Sequence, residues 1–430
     1  MTTVTKSNSK VQVGFTDKLL TGHGGAIFLR AAADRLGLPR QLAEHVRVKQ
    51  RRRGVSEDQM LLALIGCISG GDGSLVDLDR LAGDEVRKSA LGLDAVADPR
   101  RVGELLARFG KNALGGLRTI AHANAAQLAP AVIKHYRDEL GYVPLFVDGT
   151  AIEVGSGKIE GANKGYNGEY QYWWHATFIG DLMVTADLHP GGTNVTAGFA
   201  EQLAEAKKLI PEHTPVWAAV DNAYYDKEFV RTCDEYGWDY SISVTHGEFQ
   251  RPLLRAAAEL EADDWAIVND DEAATIITHR PHGWHRAHQY VVIKSLKPNR
   301  QGDLFERYSF ILVSRKNLSL AKLIARHRRK QGCENHFKGP LIDLDLHHPP
   351  CRKLNANRAY YLLGLIAAQL LTAVKYLLLP ICARTARFRT LIRDLIRLPA
   401  LLTRSGRRTY LRFSRTAYRP AWIAHAAALL

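Results

Sequence analysis

Two acidic residues follow apolar, strand-like runs and are the first candidates for chemistry. Asp148 ends the run Pro-Leu-Phe-Val at 144–147 and precedes Gly149, and Asp221 ends the run Thr214–Val220. An apolar run that stops at a carboxylate predicts a buried strand whose acid meets solvent. If the two strands are neighbours, their acids can share divalent cations, because Mg²⁺ prefers carboxylate oxygens.

A third acid, Glu334, stands in a segment that is otherwise rich in cations. Lys330 and Lys338 lie four residues before and after it, which is also the spacing of surface ion pairs worth about 0.2–0.5 kcal/mol on a helix. His327 adds another basic side chain to the same predicted face. We expect these three basic groups to contact phosphates and the three acids to hold two metal ions for phosphodiester chemistry.

The charge of the chain indicates a polyanionic partner. The 430 residues carry a formal net charge of +14, an excess that commonly serves to neutralise phosphates. Eleven arginines and a single acid, Asp394, lie between Arg384 and Arg419. Arg407 and Arg408 in this tail, and the run Arg51-Arg52-Arg53, are predicted DNA contacts. Apolar residues among the tail arginines would also suit a membrane surface.

The remaining composition favours a cytoplasmic, nucleoid-associated protein. The five cysteines contain no CxxC pair, which gives no sign of a disulfide framework. The first ten residues are polar and lack the apolar core of a signal peptide. The apolar run 359–374 is shorter than the ~20 residues of a membrane span. We interpret it as a buried core helix and expect neither a membrane nor a small-molecule partner.

The order of elements predicts an α/β fold with an RNase H-like mixed sheet and helices on both faces. From about residue 138 the pattern is strand, strand, strand, helix, strand, helix, strand. In such a sheet the first and fourth strands lie side by side, which would place Asp148 beside Asp221. The predicted divisions are an all-α, DNA-binding domain at 1–137, the first part of the core at 138–249, a β-rich insertion at 250–315, the second part of the core at 316–383, and a basic helical tail at 384–430.

Two further features of the sequence have alternative interpretations. The turn and short helix at 98–102 would suit the second half of a helix-turn-helix, but equally a structural or dimerisation role. Trp265 and Trp284 in the insertion could stack on an unpaired base at a DNA end, or pack within the protein.

The chain resembles the DDE transposases of bacterial insertion sequences, in particular the branch with a β-rich insertion before the third acid. Asp148 stands in Phe-Val-Asp-Gly-Thr, Asp221 in Val-Asp-Asn-Ala-Tyr-Tyr and Glu334 in Gly-Cys-Glu-Asn-His-Phe-Lys-Gly. The match covers about residues 140–380. It implies cleavage of inverted-repeat ends by two Mg²⁺ or Mn²⁺ ions, transfer of the 3′-hydroxyl to target DNA, and a homodimer on double-stranded DNA.

The motif around Glu334 departs from that branch. The branch often has Tyr and Arg seven and four residues before the acid and Lys four and seven after it, where this chain has His327, Lys330, Lys338 and Leu341. The resemblance therefore leaves the excision route open.

Two other functions remain as alternatives at this point. An inactive DNA-binding regulator would explain the charge and the helical N-terminus. A tyrosine recombinase, for which Arg326-His327 and Tyr410 are the candidate residues, would need no metal.

Overall fold

A computed structural model of the chain describes residues 15–51, 53–165, 167–244, 247–297, 307–314, 317–330, 332, 337 and 339–430. Three of the predicted functional residues, Arg52, Glu334 and Lys338, lie outside the described residues.

The N-terminal part is helical, as its apolar spacing predicts. A short strand β1 (Leu20–Thr21) precedes α1 (Ala26–Leu36), α2 (Leu38–His45), α3 (Glu57–Ser69), α4 (Asp77–Gly83), α5 (Glu85–Ala90), α6 (Pro99–Leu106) and α7 (Lys111–Leu140). The Asp98 side chain caps α6 by accepting the Arg101 N–H at 3.0 Å, with Pro99 at the first position. Gly141 ends α7 at φ 74°, a conformation that glycine adopts readily.

A mixed sheet follows α7 and contains both strand-end acids. Its first part comprises β2 (Val143–Glu153), β3 (Asn163–Lys164), β4 (Tyr170–Ile179), β5 (Leu182–Pro190), β6 (Val216–Val220) and β7 (Asp239–Val244), with α8 (Phe199–Leu209) and α9 (Lys227–Tyr236) between the later strands. The pairing order is β5-β4-β2-β6-β7. The first three of these strands are antiparallel, whereas β2, β6 and β7 are parallel. This is the strand order that the sequence predicts for an RNase H-like fold.

The segment after β7 extends the same sheet. It comprises α10 (Gln250–Ala258), β8 (Ala266–Asn269), β9 (Glu272–His279), β10 (His288–Ser295) and β11 (Tyr308–Val313). β11 pairs antiparallel with β7, and β10, β9 and β8 follow outward. The β content agrees with the predicted insertion at 250–315. Because β11 covers the edge of β7, however, the insertion continues the central sheet and does not form a sheet of its own.

A long apolar helix fills the space between the N-terminal helices and the sheet. After α11 (Leu320–Arg328) the chain reaches α12 (Leu354–Ala373). The Gln369 amide on α12 donates to the Ala121 carbonyl of α7 at 3.0 Å and to the Met183 carbonyl of β5 at 3.1 Å. The Tyr360 hydroxyl donates to the Gly73 carbonyl at 2.5 Å. These bonds join the helical part and the sheet around one core.

By length and composition, one described helix could cross a membrane. It runs from Leu354 to Leu378, and 94% of its most apolar window is buried inside the protein. This burial is typical of a core helix, which is how the sequence at 359–374 is interpreted above.

The basic tail is not the helical segment that the sequence suggests. After α13 (Phe388–Leu391) and one π-helical turn to Ile396, the chain forms a hairpin of β12 (Ala400–Ser405) and β13 (Arg408–Phe413), and only then α14 (Pro420–Ala427). β12 pairs with β1 in a three-stranded sheet. Gly406 in the turn has φ 59°, which side chains rarely tolerate. The turn at Gly406 and the pairing with a distant strand therefore override the local helical pattern.

Candidate active site

The parallel pairing of β2 with β6 brings two acids to one place. Val143 lies opposite Val216 and Phe146 opposite Ala219. Asp148 comes two residues after Phe146 on β2, and Asp221 comes two residues after Ala219, directly beyond β6, where it keeps an extended backbone (φ −81°, ψ 173°). Since neighbouring strands are about 4.8 Å apart, this register puts the two acids at neighbouring backbone positions at one end of the sheet.

Asp221 is held in its charged form by its surroundings. Its carboxylate accepts the Asn222 N–H at 2.7 Å and lies 2.9 Å from the Lys330 ammonium. Burial alone would raise the pKa of Asp221, but the hydrogen bond and positive charge of Lys330 outweigh it, and the net pKa is lowered. Asp221 is therefore an anion at neutral pH with oxygen atoms available to a ligand.

Asp148 sits where β2 passes close to a tryptophan. Its carboxylate accepts the N–H of Gly149 at 2.8 Å. A Cβ atom at Gly149 would lie 2.5 Å from the indole nitrogen of Trp173, a distance that requires something to move. The same indole N–H donates to the Val195 carbonyl at 3.0 Å. Glycine at 149 thus permits the close packing that fixes the backbone beside Asp148.

The described residues on either side of Glu334 contact this same region. Lys330 reaches Asp221, and Phe337 packs edge-to-face on Trp174 (ring centroids 5.8 Å apart) and Phe178 (5.2 Å). Phe178 pairs with Phe146 across β4 and β2, so its side chain shares the face of Asp148. The catalytic role of Glu334 remains a prediction.

His327 is not a phosphate-contacting cation, contrary to the sequence-based prediction. It is buried, and its two ring nitrogens lie 3.0 Å from the hydroxyl oxygens of Ser241 and Ser243 on β7. Burial and the nearby Lys330 lower the pKa of His327 to about 4, so the ring is neutral at pH 7. A buried neutral imidazole bound to the sheet positions α11 and cannot grip a phosphate.

Sequence patterns do not predict a buried pair that joins β4 to the turn after β6. His175 on β4 lies opposite Gly149, and its Nε2 contacts the hydroxyl of Tyr224 in the turn that Asp221 begins. Burial lowers the pKa of His175 to about 4. The only sequence signal was Tyr224 itself, three residues after Asp221.

Comparison with protein families decides the classification of this chain. Residues 3–430 match the family described as "Transposase DDE domain group 1". The chain belongs to the DDE transposases. A solved structure that it resembles is described as "Cryo-EM structure of piggyBac transposase synaptic complex with hairpin DNA", with a TM-score of 0.43, 9% identity, and coverage of 89% of this chain and 82% of that chain. No curated protein matches the sequence.

The family implies a divalent metal, and the two acids of this transposase fit one. Asp148 and Asp221 offer hard oxygen ligands from adjacent strands, and the lowered pKa of Asp221 keeps it ionised. Within the described ranges, no group of three or more His, Cys, Asp or Glu side chains could hold a metal ion. Asp148 and Asp221 are therefore two candidate ligands for a divalent metal ion.

Four of the arginines predicted to contact DNA lie on the surface of the transposase. Arg51 and Arg53 are exposed in the loop between α2 and α3, and Arg407 and Arg408 are exposed at the hairpin turn of β12 and β13. The structure therefore leaves these four side chains accessible to a partner.

The two tryptophans predicted as base-stacking residues already stack on protein rings. Trp265 lies on Tyr308 (5.8 Å, interplanar angle 22°), with the Lys294 ammonium 5.4 Å from its centroid. Trp284 lies on Tyr225 (5.3 Å, 30°) and meets His288 edge-on. Both rings are half-buried. Packing within the protein, the second interpretation above, accounts for both residues.

Arg326, a candidate residue for the recombinase alternative, also contacts aromatic rings within the protein. Its guanidinium lies 4.2 Å from the ring centroid of Tyr142 and 4.9 Å from that of Trp217. With His327 buried, the Arg326-His327 pair has a structural role in this transposase.

Proposed function

We propose that this transposase cleaves DNA at the inverted-repeat ends of its element and joins the freed 3′-hydroxyl to target DNA. The observation that carries the proposal is the register of β2 and β6, which aligns Asp148 with Asp221, with Lys330 2.9 Å from Asp221. Glu334 is the proposed third ligand, because Lys330 and Phe337 on either side of it contact the acid-bearing face.

Cleavage is a hydrolysis of one phosphodiester bond. A water oxygen attacks the phosphorus, the P–O3′ bond breaks, and a 3′-hydroxyl and a 5′-phosphate remain. In strand transfer the 3′-hydroxyl loses its proton, attacks a target phosphorus and displaces the target's own 3′-oxygen. When bound, two Mg²⁺ or Mn²⁺ ions held by the three acids supply activation of the attacking oxygen and neutralisation of the leaving oxygen.

The side chains around the acids have separate proposed tasks. Lys330, whose side chain is largely buried, places a positive charge beside Asp221, where it can also meet a scissile or flanking phosphate. His327 holds α11, which ends two residues before Lys330, against β7. The His175–Tyr224 pair ties the turn that follows Asp221 to β4. Fixed geometry of this kind lowers the barrier because the reacting groups need no reorganisation.

The surrounding parts would bind the DNA. The exposed arginines at 51, 53, 407 and 408 are proposed contacts to the phosphate backbone, as are the residues at 52 and 338. The proposal includes a homodimer bridged by two DNA ends, an origin in a bacterial insertion sequence, and a cytoplasmic location on the nucleoid. The excess of positive charge supports a nucleic-acid partner over a membrane surface.

The test is cleavage of labelled DNA that carries the element's own inverted repeats. Wild type should cut at the repeat boundary with Mg²⁺ and not with EDTA. Glu334→Gln should lower the rate at least 100-fold, on the scale of a lost catalytic group, whereas the exposed Glu259→Gln should cut like wild type.

Three other outcomes would contradict parts of the proposal. If Glu334→Gln cuts as well as wild type, the third ligand lies elsewhere. If wild type binds the ends without cutting, the chain is a regulator. Cutting that resists EDTA and leaves protein covalently attached to DNA would indicate a tyrosine recombinase.

A further inference from the structure

A cleft of about 440 Å³ lies between the turn that joins β4 to β5, the segment 339–343 and the segment 384–389. Its lining includes three arginines, Arg384, Arg387 and Arg389, and two aromatic rings, Tyr136 and Phe388. We call it the arginine cleft. The metal site and the proposed DNA contacts above do not use it.

The other charged groups of the arginine cleft are already paired. The Lys375 ammonium contacts the Asp181 carboxylate, and both side chains are largely buried. The Asp343 carboxylate accepts the backbone N–H of Arg389 at 3.0 Å. Lys375 and Asp181 cancel one another, so the three arginines outweigh the remaining acid.

The three guanidinium groups have no carboxylate partner in the described part of the chain. No ion pair within 4.0 Å joins Arg384, Arg387 or Arg389 to an acid there. The Nε atom of Arg384 is buried and has no hydrogen-bond partner among the described residues. A buried donor without a partner is destabilising, and a bound anion would satisfy it.

The arginine cleft lies beside the acid-bearing face. Phe178 lines it, and Phe178 pairs with Phe146, which stands two residues before Asp148. Two residues of strand span about 7 Å. Gly332 also lines the cleft and follows Lys330 by two residues. A polynucleotide that reaches Asp148 and Asp221 could therefore place a neighbouring nucleotide here.

We propose that the arginine cleft binds the phosphate group of a nucleotide. Arg384, Arg387 and Arg389 are the donors, because a guanidinium presents two N–H groups in the geometry of phosphate oxygens. Phe388 and Tyr136 form the apolar wall on which the sugar or base rests. A volume of 440 Å³ is within the range of pockets that hold small organic ligands.

The phosphate has two candidate sources. One is a nucleotide of the DNA end, and for this source the inference rests on the proposed function. A free deoxynucleoside monophosphate offers the same chemistry and is the other source. The experiment therefore has one arm for each.

The first arm measures the salt dependence of DNA binding by the full chain. Fluorescence anisotropy with an inverted-repeat duplex between 50 and 200 mM salt gives the slope of log K against log[salt]. We expect Arg387→Gln/Arg389→Gln to reduce the slope by about 1, since the cleft holds one phosphate and each neutralised phosphate contributes about 0.9. The control is Arg40→Gln/Arg231→Gln, which removes the same charge from exposed arginines paired with Glu44 and Glu235; its slope should stay near that of wild type.

The second arm measures thermal unfolding with added dAMP and, separately, inorganic phosphate. A ligand that binds only the folded state raises the melting temperature as its concentration passes Kd. If the cleft variant loses stabilisation by dAMP while its DNA slope is unchanged, the phosphate ligand is confirmed and its source is a free nucleotide. If the salt slope and the stabilisation by dAMP of Arg387→Gln/Arg389→Gln both match those of the control variant, the inference is overturned.

The outcomes distinguish a failure of this inference from a failure of the proposed function, and a second variant excludes misfolding as the cause. If wild type cuts end DNA but the cleft variant behaves like its control, only the cleft inference fails. If wild type does not cut, the proposed function fails, and binding and unfolding still test the cleft. Should the glutamine variant fold poorly, Arg387→Lys/Arg389→Lys keeps the charge but loses the two-pronged donor, so a slope near wild type with weaker binding at each salt concentration is expected.

Discussion

At the scale of single residues, the surroundings of Asp148 and Asp221 depend on glycine, tryptophan and buried histidine residues. Gly149 follows Asp148 and allows the indole of Trp173 to pack against the backbone of β2. His327 and His175 are neutral and buried, and each fixes an element that carries a charged group. The candidate site has few charged groups, and packing around them sets their placement.

Gly149→Ala should impair cleavage more than DNA binding. The new methyl group would lie 2.5 Å from the Trp173 indole nitrogen, which is itself bonded to the Val195 carbonyl, so β2 must shift beside Asp148. A displacement of about 1 Å in a catalytic group can lower the rate about 100-fold. We expect that loss in Mg²⁺-dependent cleavage, with an unchanged dissociation constant for end DNA.

The matched control is Gly155→Ala, where an added Cβ meets nothing within 4 Å. It should cut like wild type. Equal cleavage by both variants would show that the contact between Gly149 and Trp173 does not position Asp148.

At the scale of elements, the sequence predicts those strands and helices that local patterns of apolar residues determine. The apolar runs before Asp148 and Asp221 define β2 and β6, and the order of strands and helices gives their parallel pairing. The hairpin of β12 and β13 has a local signal, the Ser405-Gly406 turn, that the sequence prediction missed. Only its pairing with Leu20–Thr21, at the other end of the chain, lies beyond local pattern. The buried state of His327 likewise depends on Ser241 and Ser243, far away in sequence.

The tail hairpin is anchored by one buried carboxylate. Asp394 lies 2.6 Å from Arg393 Nε and 3.0 Å from Arg419 Nε, and these residues precede and follow the hairpin. These charged hydrogen bonds hold the pKa of Asp394 below its usual value although burial opposes this shift. They therefore close the segment 394–419 into a loop.

Asp394→Asn should open this loop. Charged hydrogen bonds are worth roughly 1.5–3 kcal/mol each, so loss of the charge should raise the open population at least tenfold. Trypsin should then cut within 404–415 faster by the same factor, provided that closing is fast relative to cleavage. Asp34→Asn, which removes an exposed partner of Arg30, is the control and should leave the rate unchanged. Identical digestion of both variants would mean that strand pairing alone holds the hairpin.

At the scale of the whole molecule, the N-terminal helices and the C-terminal tail meet at Asp72. Its carboxylate lies 2.8 Å from Arg87 and 3.3 Å from His23 in the N-terminal part, and 2.6 Å from Arg397 in the tail. Arg397 also donates to the carbonyls of Gly70 and Gly71. The two ends of the chain are thereby joined on the side of the core helix α12, whose Tyr360 bonds to Gly73.

Asp72→Asn should destabilise the molecule as a unit. The Arg87 side chain is only 4% exposed, and loss of one partner of a buried ion pair costs about 3–5 kcal/mol. The melting temperature at pH 7 should fall by several degrees, and both the helical part and the tail should lose protection in hydrogen exchange. Asp138→Asn, in an exposed pair with Lys134, is the control and should change little.

The pH dependence of the destabilisation by Asp72→Asn distinguishes an effect of the Asp72 charge from an effect of packing. Burial would raise the pKa of Asp72, but His23, Arg87 and Arg397 outweigh it and lower the pKa below 3.8. A carboxyl whose pKa is lower in the folded than in the unfolded state stabilises the fold above the unfolded pKa and loses that contribution as pH falls through the folded pKa. The difference between wild type and Asp72→Asn should therefore be full at pH 5 and above, and should shrink below about pH 4. A difference that stays constant down to pH 3 would show that Asp72 acts through its shape and hydrogen bonds, and that its charge does not join the two ends of the chain.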